Sequence, residues 1–586
     1  MWVYFLQNWG ICVLDFSYID VTTYEGKIIC WTRDSKGDLD VIVNDVDEYC
    51  YLFKPDNKNL DEGYFDLYGN PLRKVYFFSP WEMRQFAITS DTVLESDVAP
   101  EYKFLLDKMI DNNEDAPFNI GYYDIEVDYD LKKGMGYPTV KNPYGEINGI
   151  SLFDTKNKKY VEWALHGGVL KLNDEEYPVE VRTCDDEWSL LKDFCKYIDH
   201  IDVLAAWNGD GFDLPYIMER LIKNFGEKAH SMLCRDSFDA KRREYVNEYG
   251  EDSVGWTLVG RIHFDLMQLY KKFTQGELQS YKLDNVCEKE KLGFKKTEYD
   301  GDLGDLYREN PQLFFEYSLR DSKLLLKLNE KKQIIELAMT MVRSSCALPN
   351  DILGSIKMIE CDLAKFGRQN GGIILPDRDV KEKEKYDGAV VYDTIVGLHE
   401  WVFGVDLRSL YPFVMIMLGL SPETILAQLV GEYEDYIKVM TRDDTAGCVE
   451  LILAETGELI DILPSELEET IRSSGWTISA AGTIFAGQLG FLSQYVSEGF
   501  KLRSTYKEQM FICRDNDDSV GEQRFNLRQN AVKVGRLNAV YGACGNEAFK
   551  LFDIRLAKSI TLSAQIVSKQ QALAANSYID YLCEGL

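Results

Sequence analysis

Two carboxylates two residues apart, Asp124 and Glu126 in Tyr122-Tyr-Asp-Ile-Glu-Val-Asp128, are the first residues whose types and spacing point to chemistry. On a strand, side chains two apart share a face, so both acids are placed to bind one cation. A lone D-x-E is also commonly just two acids on a solvated face. Asp213 follows in Leu204-Ala-Ala-Trp-Asn-Gly-Asp-Gly-Phe-Asp-Leu-Pro-Tyr-Ile217, where an apolar strand leads through a Gly-containing loop into a helix. At a helix start an Asp equally serves as a plain cap. Tyr317 and Asp321, four apart in Tyr317-Ser-Leu-Arg-Asp321, stack on one helical face. A further acid, Asp406, sits in Gly404-Val-Asp-Leu-Arg-Ser-Leu-Tyr-Pro412. Trp401, Val402 and Phe403 before it read as a buried strand that delivers it to the strand end. A carboxylate there is costly to bury unless a metal or partner takes it; the bland alternative is a strand-to-helix turn with a capping Asp. Arg503 and Lys507 lie i, i+4 on a helix expected from about Gly490 to Met510 and project together, as phosphate ligands or as a solvated basic face.

The elements that position these groups are legible in outline. Residues 1 to about 105 alternate apolar and polar with turn signals such as Phe65-Asp-Leu-Tyr-Gly-Asn-Pro71, which predicts a mostly β module. Tyr245 to Arg261 reads as a hairpin around Gly250-Glu-Asp-Ser253, and helical periodicity dominates from about 332 to 378 before a break at Asn370-Gly-Gly372. A last amphipathic helix runs to Ile579, with Ile560, Ile566, Ala572 and Tyr578 on its apolar face.

The chain has 586 residues, enough for several domains, and its 45% hydrophobic and 13% aromatic content excludes a disordered protein. Thirteen cysteines are scattered with no C-x-x-C pair, which argues against a zinc site or disulfide framework and fits a reducing compartment. The start, Met1-Trp-Val-Tyr-Phe, lacks the pattern of a signal peptide, and no apolar run is long enough to cross a bilayer. The net charge of −32 argues against a nucleic-acid partner, yet phosphate contacts depend on local charge. Between Lys501 and Lys558 there are 11 Lys/Arg against 7 Asp/Glu, so that stretch is locally +4.

Taken together these motifs resemble family B DNA polymerases, in particular those of T-even-type tailed phages. The acids recur in the order of the 3′–5′ proofreading exonuclease: D-x-E, N-x-x-x-F-D, then Y-x-x-x-D, with Asn208 matching the Asn of the second. The resemblance implies Asp124, Glu126, Asp213 and Asp321 as metal ligands and Tyr317 as the residue that orients the attacking water. Two Mg²⁺ ions per active site, replaceable by Mn²⁺, are implied, with hard oxygen ligands suited to two-metal phosphodiester chemistry. Gly404 to Pro412 resembles the first palm motif, D-x-x-S-L-Y-P. It implies Asp406 and the Leu407 carbonyl as metal ligands, Leu407, Ser409, Leu410 and Tyr411 around the nucleotide, and Tyr411 under its sugar. Arg503 and Lys507 resemble the fingers pair that grips the β- and γ-phosphates. Arg528 to Gly542 resembles K-x-x-x-N-S-x-Y-G through Lys533, Asn538, Tyr541 and Gly542. Lys533 stands five residues before Asn538 rather than four, which on a regular helix turns it about 100°. Either a π-bulge near Gly535 absorbs the insertion, or Arg536 makes the phosphate contact. Ala539 replaces the usual Ser, and Phe413 a usual small residue. Glu95-Ser-Asp-Val, Glu101-Tyr-Lys-Phe-Leu105 and Ser421-Pro-Glu-Thr-Ile425 also resemble the phage proteins. Tyr386-Asp-Gly-Ala-Val390 resembles the motif that lies along DNA between exonuclease and palm, and the 245–261 hairpin one that helps pass the primer between sites.

The resemblance implies a multidomain α+β architecture. It comprises an amino-terminal domain at 1–105 and 332–378, a ribonuclease H-like α/β exonuclease domain at 106–331, palm at 379–480, two-helix fingers at 481–548 and palm continuation at 549–586. A D-T-D-S hairpin, which supplies the second pair of polymerase carboxylates, is not found. Beyond Tyr541 the acids are Glu547, Asp553, Asp580 and Glu584, and Asp515-Asn-Asp517 lacks strand context. The expectation is therefore the larger part of a split polymerase with partial palm and no thumb, completed by a second chain carrying D-T-D-S and the thumb. A stand-alone exonuclease with vestigial palm and a non-catalytic DNA- or RNA-binding factor are the alternatives. Primer-template DNA, single-stranded 3′ ends, dNTPs and a sliding clamp are the expected partners, in the cytoplasm of an infected bacterial host.

Overall fold

The computed structural model describes residues 14–54, 63–90, 93–112, 114–130, 134, 136–246, 250, 252–274, 276–293, 302–379, 388, 395–400, 402, 404 and 406–584. Its contacts divide the chain into two compact units, Met1–Val46 with Pro100–Leu353, and Asp47–Ala99 with Gly354–Leu586. The stretch read as one β module is thus shared between them.

In the first unit, Phe16–Tyr24, Lys27–Asp34 and Leu39–Asp45 form a three-stranded antiparallel sheet. The larger sheet has six strands: β1 (Ile120–Val127), β2 (Ile147–Asp154), β3 (Lys159–Leu165), β4 (Val179–Cys184), β5 (Val203–Ala206) and β6 (Ile262–Asp265). Their order is β4-β3-β2-β1-β5-β6, with β5 parallel to both β1 and β6 and β2 antiparallel to β1 and β3. All eight residues of β2 are buried, so this central strand is covered on both faces. Helix α1 (Asp213–Phe225) follows β5, and the 22-residue α2 (Pro311–Lys332) packs on β1 and β2. The Asn310 side chain caps α2 by accepting the Leu313 N–H, Pro311 occupies the first turn, and Gln333 closes it in the left-handed region. The expected hairpin is present as Lys241–Val246 paired antiparallel with Asp252–Thr257.

In the second unit a four-stranded sheet is built from Glu48–Phe53, Tyr64–Phe65, Pro71–Phe77 and Val93–Leu94. After α3 (Ser355–Gln369) the chain breaks at Gly371 and Gly372, both with positive φ, and Ile373 and Pro376 bridge back to Phe65 and Leu94. Gly372 has no room for a side chain, because a Cβ there would meet the Gly63 carbonyl oxygen. Helix α4 (Leu410–Leu418) precedes a five-stranded antiparallel sheet of β7 (Ile425–Leu429), β8 (Val449–Leu453), β9 (Leu459–Ile462), β10 (Thr477–Ile478) and β11 (Thr483–Phe485). Helices α5 (Phe491–Asp515) and α6 (Ser519–Ala531) then form a hairpin, a π-helical segment spans Val532–Leu537, and α7 (Ala539–Cys544) leads to α8 (Ile554–Glu584). One core unites α3, α4, α5, α7 and α8 through Leu363, Phe366, Met415, Tyr495, Val540 and Ile560.

One expectation is corrected. The apolar approach to Asp406 is not a buried strand where it is described: Val402 is 77% exposed, and Val402 and Gly404 lie outside any regular element. A strand persists only where its peptide groups find a ladder partner, and no sheet of the described residues offers one there. The apolar face of α8 is covered over only part of its length. Ile560 is buried and Ile566 half-buried, but Ala572 and Tyr578 are exposed. The 386–390 motif, Gly388 apart, and the first five residues lie outside the described residues.

Candidate active site

Alternation along β1 places Asp124 and Glu126 on one face, and the i, i+4 step of α2 aims Asp321 at the same place. The structure brings these three carboxylates together, with ligand oxygens all within 4.8 Å of one another. Glu126 and Asp321 are buried and Asp124 is half-buried, so the cluster sits in a recess rather than on a solvated face. Tyr317, one turn ahead of Asp321, is also buried.

Asp213 stands beside this set without joining it. It is the first residue of α1, buried, and its carboxylate accepts the N–H of Ile125, the residue between the two β1 acids, at 3.3 Å. Burial pushes its carboxyl up to about 7, against which the Ile125 hydrogen bond works only in part. An acid caught between neutral and charged is one that a bound cation would finish ionising.

The loop from β5 to α1 is held by groups that sequence reasoning missed. Asp265, at the end of β6, accepts N–H groups from Asn208 (3.2 Å) and Asp210 (3.4 Å) while capping the helix that starts at Leu266. Asn208 takes a left-handed φ of 59°, which Asn tolerates better than most residues. Gly209 is obligatory, because a Cβ there would lie 2.9 Å from the His263 ring. His263 donates from Nδ1 to Asp210 (2.8 Å), leaving Nε2 to accept the Tyr123 hydroxyl at 2.9 Å. Tyr123 precedes Asp124, so this chain ties the loop to the strand that bears the acids. The only sequence signal for it is an acid closing a short apolar strand before a helix.

In the second unit Asp406 is exposed and Leu407 half-buried. Among the described residues no other acid groups with Asp406 into a set able to hold an ion. Ser409 enters α4 with a left-handed φ of 58°, and Leu410 and Tyr411 open the helix half-buried. The Tyr411 ring stacks on Tyr541 with centroids 4.3 Å apart and planes at 24°, joining the two motifs. Phe413 stacks on Phe500 of α5 at 4.8 Å, which gives the unusual aromatic a partner.

On α5, Arg503 donates to Gln529 of α6 at 3.3 Å, and Lys507 is exposed with its ammonium 5.9 Å from the Phe511 ring centre. The extra residue before Asn538 is absorbed by a π-helical turn. The Asn538 N–H bonds the Lys533 carbonyl at 3.0 Å, five residues back. Of the two alternatives, that is the one the structure takes. Arg536 is occupied elsewhere: its guanidinium makes two bonds to Asp362 of α3, at 3.0 and 2.9 Å, and lies 4.4 Å from the Tyr495 ring centre. Tyr495 donates to the same carboxylate at 2.6 Å. Lys533 remains half-buried and Asn538 exposed.

Residues 87–286 match the exonuclease domain of DNA polymerase family B, and residues 354–583 match DNA polymerase family B. The Tyr317–Asp321 turn lies between the two matches. The chain is 25% identical over 573 residues to a DNA-directed DNA polymerase of Escherichia phage RB69, covering 89% of this chain and 62% of the relative. To that of Enterobacteria phage T4 it is 26% identical over 518 residues, covering 78% and 55%. The chain thus spans roughly three-fifths of these relatives' length. In fold it is similar to the family B DNA polymerase of the archaeon Pyrobaculum calidifontis, with a TM-score of 0.69 at 20% identity over 96% of this chain and 72% of that one. With the exonuclease and polymerase regions of one family both matched in their family order, this chain belongs to DNA polymerase family B.

Proposed function

We propose that the chain carries a 3′–5′ exonuclease that removes nucleotides from DNA ends, joined to the nucleotide-binding part of a template-directed DNA polymerase. The observation that carries the first part is the closure of Asp124, Glu126 and Asp321 on one point. Three hard oxygen donors at that spacing fit Mg²⁺ or Mn²⁺. Asp124, Glu126 and Asp321 would hold the ions, and Asp213 would join them once ionised. Bound there, the ions would supply an activated water and charge stabilisation for the leaving oxygen. Tyr317 would orient the water through its hydroxyl, and the recess would hold the terminal phosphodiester over the acids.

The polymerase part rests on the Tyr411–Tyr541 stack and on Arg503, Lys507 and Lys533, which are carried by the helical hairpin and its π-helical extension. Tyr411 would meet the nucleotide sugar, with Leu407, Ser409, Leu410 and Asn538 around it, and the three cations would take its phosphates. Asp406 by itself does not fit a two-ion site, since each ion needs several oxygen ligands. A second chain bearing the D-T-D-S carboxylates and a thumb, and through it a sliding clamp, is the proposed complement. The finer division into amino-terminal, exonuclease, palm and fingers parts, with the 241–257 hairpin aiding primer transfer, belongs to the same proposal. So does action in the cytoplasm of an infected bacterium; among the described residues no helix is long and apolar enough to cross a membrane.

The test is digestion of a 5′-labelled single-stranded oligonucleotide with Mg²⁺. Wild-type chain shortens it stepwise from the 3′ end, and Asp124→Ala/Glu126→Ala abolishes shortening without altering the fold. Undiminished digestion by the double variant would defeat the proposal.

A further inference from the structure

Asp124 of β1 pairs in register with Ser151 of β2, and Ser151 with Glu162 of β3. Directly paired residues share a sheet face, so a row runs from the candidate metal ligand across three strands to Glu162. Ser151, Glu162 and Ser318 are all fully buried. Above the row lies α2, and at Ser318 it is held twice: Ser318 donates its hydroxyl to Glu162 at 3.0 Å, and its carbonyl accepts the Ser151 hydroxyl at 2.9 Å. Ser318 is the residue after Tyr317 and three before Asp321. A Cβ at Gly149 would press on the Phe315 ring of α2 at 3.2 Å and make ordinary contacts with the Glu126 Cβ (3.5 Å) and the Glu162 carboxyl (3.6 Å), so this strand position lies directly under the helix.

Resting on the exonuclease reading above, we propose that Glu162 is a positioning residue: with Ser151 it clamps Ser318 and so sets the rotation of α2 that brings Asp321 and Tyr317 to the β1 acids. A helix turns as a rod, and each residue step is about 100°. A small rotation at Ser318 therefore swings both neighbours, and the groups orienting metal ligands matter nearly as much as the ligands. Nothing in the spacing of the chain marks Glu162, which enters only through the register of two strand pairs. Its carboxyl is held by burial well above the ordinary carboxylate range, so glutamine is a near-identical replacement in shape and charge.

The experiment follows Mn²⁺ binding to the full chain without DNA, by the loss of the free-ion electron spin resonance signal, alongside oligonucleotide digestion. Glu162→Leu and Ser318→Ala should each weaken Mn²⁺ binding about tenfold and lower kcat with KM for the oligonucleotide unchanged. Glu162→Gln should restore most of both. The double variant should be no worse than either single one, since both remove the same contact. Should Glu162→Leu not fold, Ser318→Ala decides alone. Wild-type Mn²⁺ binding in Ser318→Ala, or Glu162→Gln as damaging as Glu162→Leu, would overturn the proposal. Glu162-dependent Mn²⁺ binding without any digestion would uphold the clamp and overturn the nuclease reading instead.

Discussion

Replacing Asp213 by Asn should stabilise the metal-free chain, and increasingly so as pH rises. The carboxyl is wholly buried, and its pKa stands near 7 rather than near the ordinary 3.8. The unfolded chain therefore releases this proton near pH 4 while the folded one keeps it to about 7. Stability from this source is complete below pH 4 and lost as pH climbs through 7. The full change is at most about 4 kcal/mol, at about 1.4 kcal/mol for each tenfold step. About half of it falls between pH 5.5 and 8, above the isoelectric point of about 4.7. Asparagine keeps the oxygen that accepts the Ile125 N–H and removes the titration. Calorimetric unfolding of both proteins in EDTA should show the variant's advantage widening by several degrees from pH 5.5 to 8. Adding Mg²⁺ at pH 8 should reverse the order, because the ion rewards the ionised wild type. If the gap stays constant with pH, Asp213 is not a proton-holding acid in the empty site.

Three further outcomes are expected. In the completed polymerase, Tyr411→Ala should raise ribonucleotide use in primer extension, and an unchanged ratio of ribo- to deoxynucleotide incorporation would mean the ring does not face the sugar. Arg536→Met should lower the stability of the second unit by about 3 kcal/mol, because it strands the buried Asp362 carboxylate, with much of the loss recovered in Asp362→Asn/Arg536→Met on thermal unfolding. Primer extension should be feeble with the purified chain, robust with a chain bearing D-T-D-S and a thumb, and absent with that chain plus Asp406→Asn. Robust extension by the purified chain would refute the need for a partner.

Much of the site is legible in sequence because its acids obey short periods. Asp124 and Glu126 are two apart on a strand, Tyr317 and Asp321 four apart on a helix, and both spacings translate directly into a shared face. The π-helical turn is legible too, as one residue too many between Lys533 and Asn538. Glu162, His263 and Asp265 are not, since their roles follow from which strands neighbour each other, and the single chain carries no such record. Val402, in the apolar run before Asp406, misleads for a related reason. Hydrophobicity marks a segment as fit for burial, but a strand also needs a neighbouring edge.

The π-helical turn also governs how function is transferred to this chain by alignment. Counting four residues back from Asn538, as the usual motif directs, lands on Val534, an aliphatic residue that offers no charge to a phosphate. Placing a one-residue gap within 532–537 restores Lys533 to the motif column and leaves Asn538, Tyr541 and Gly542 in theirs. Without that gap Lys533 falls outside the column and the position reads as an aliphatic residue. The turn itself is anchored by Arg536, whose guanidinium makes two bonds to Asp362.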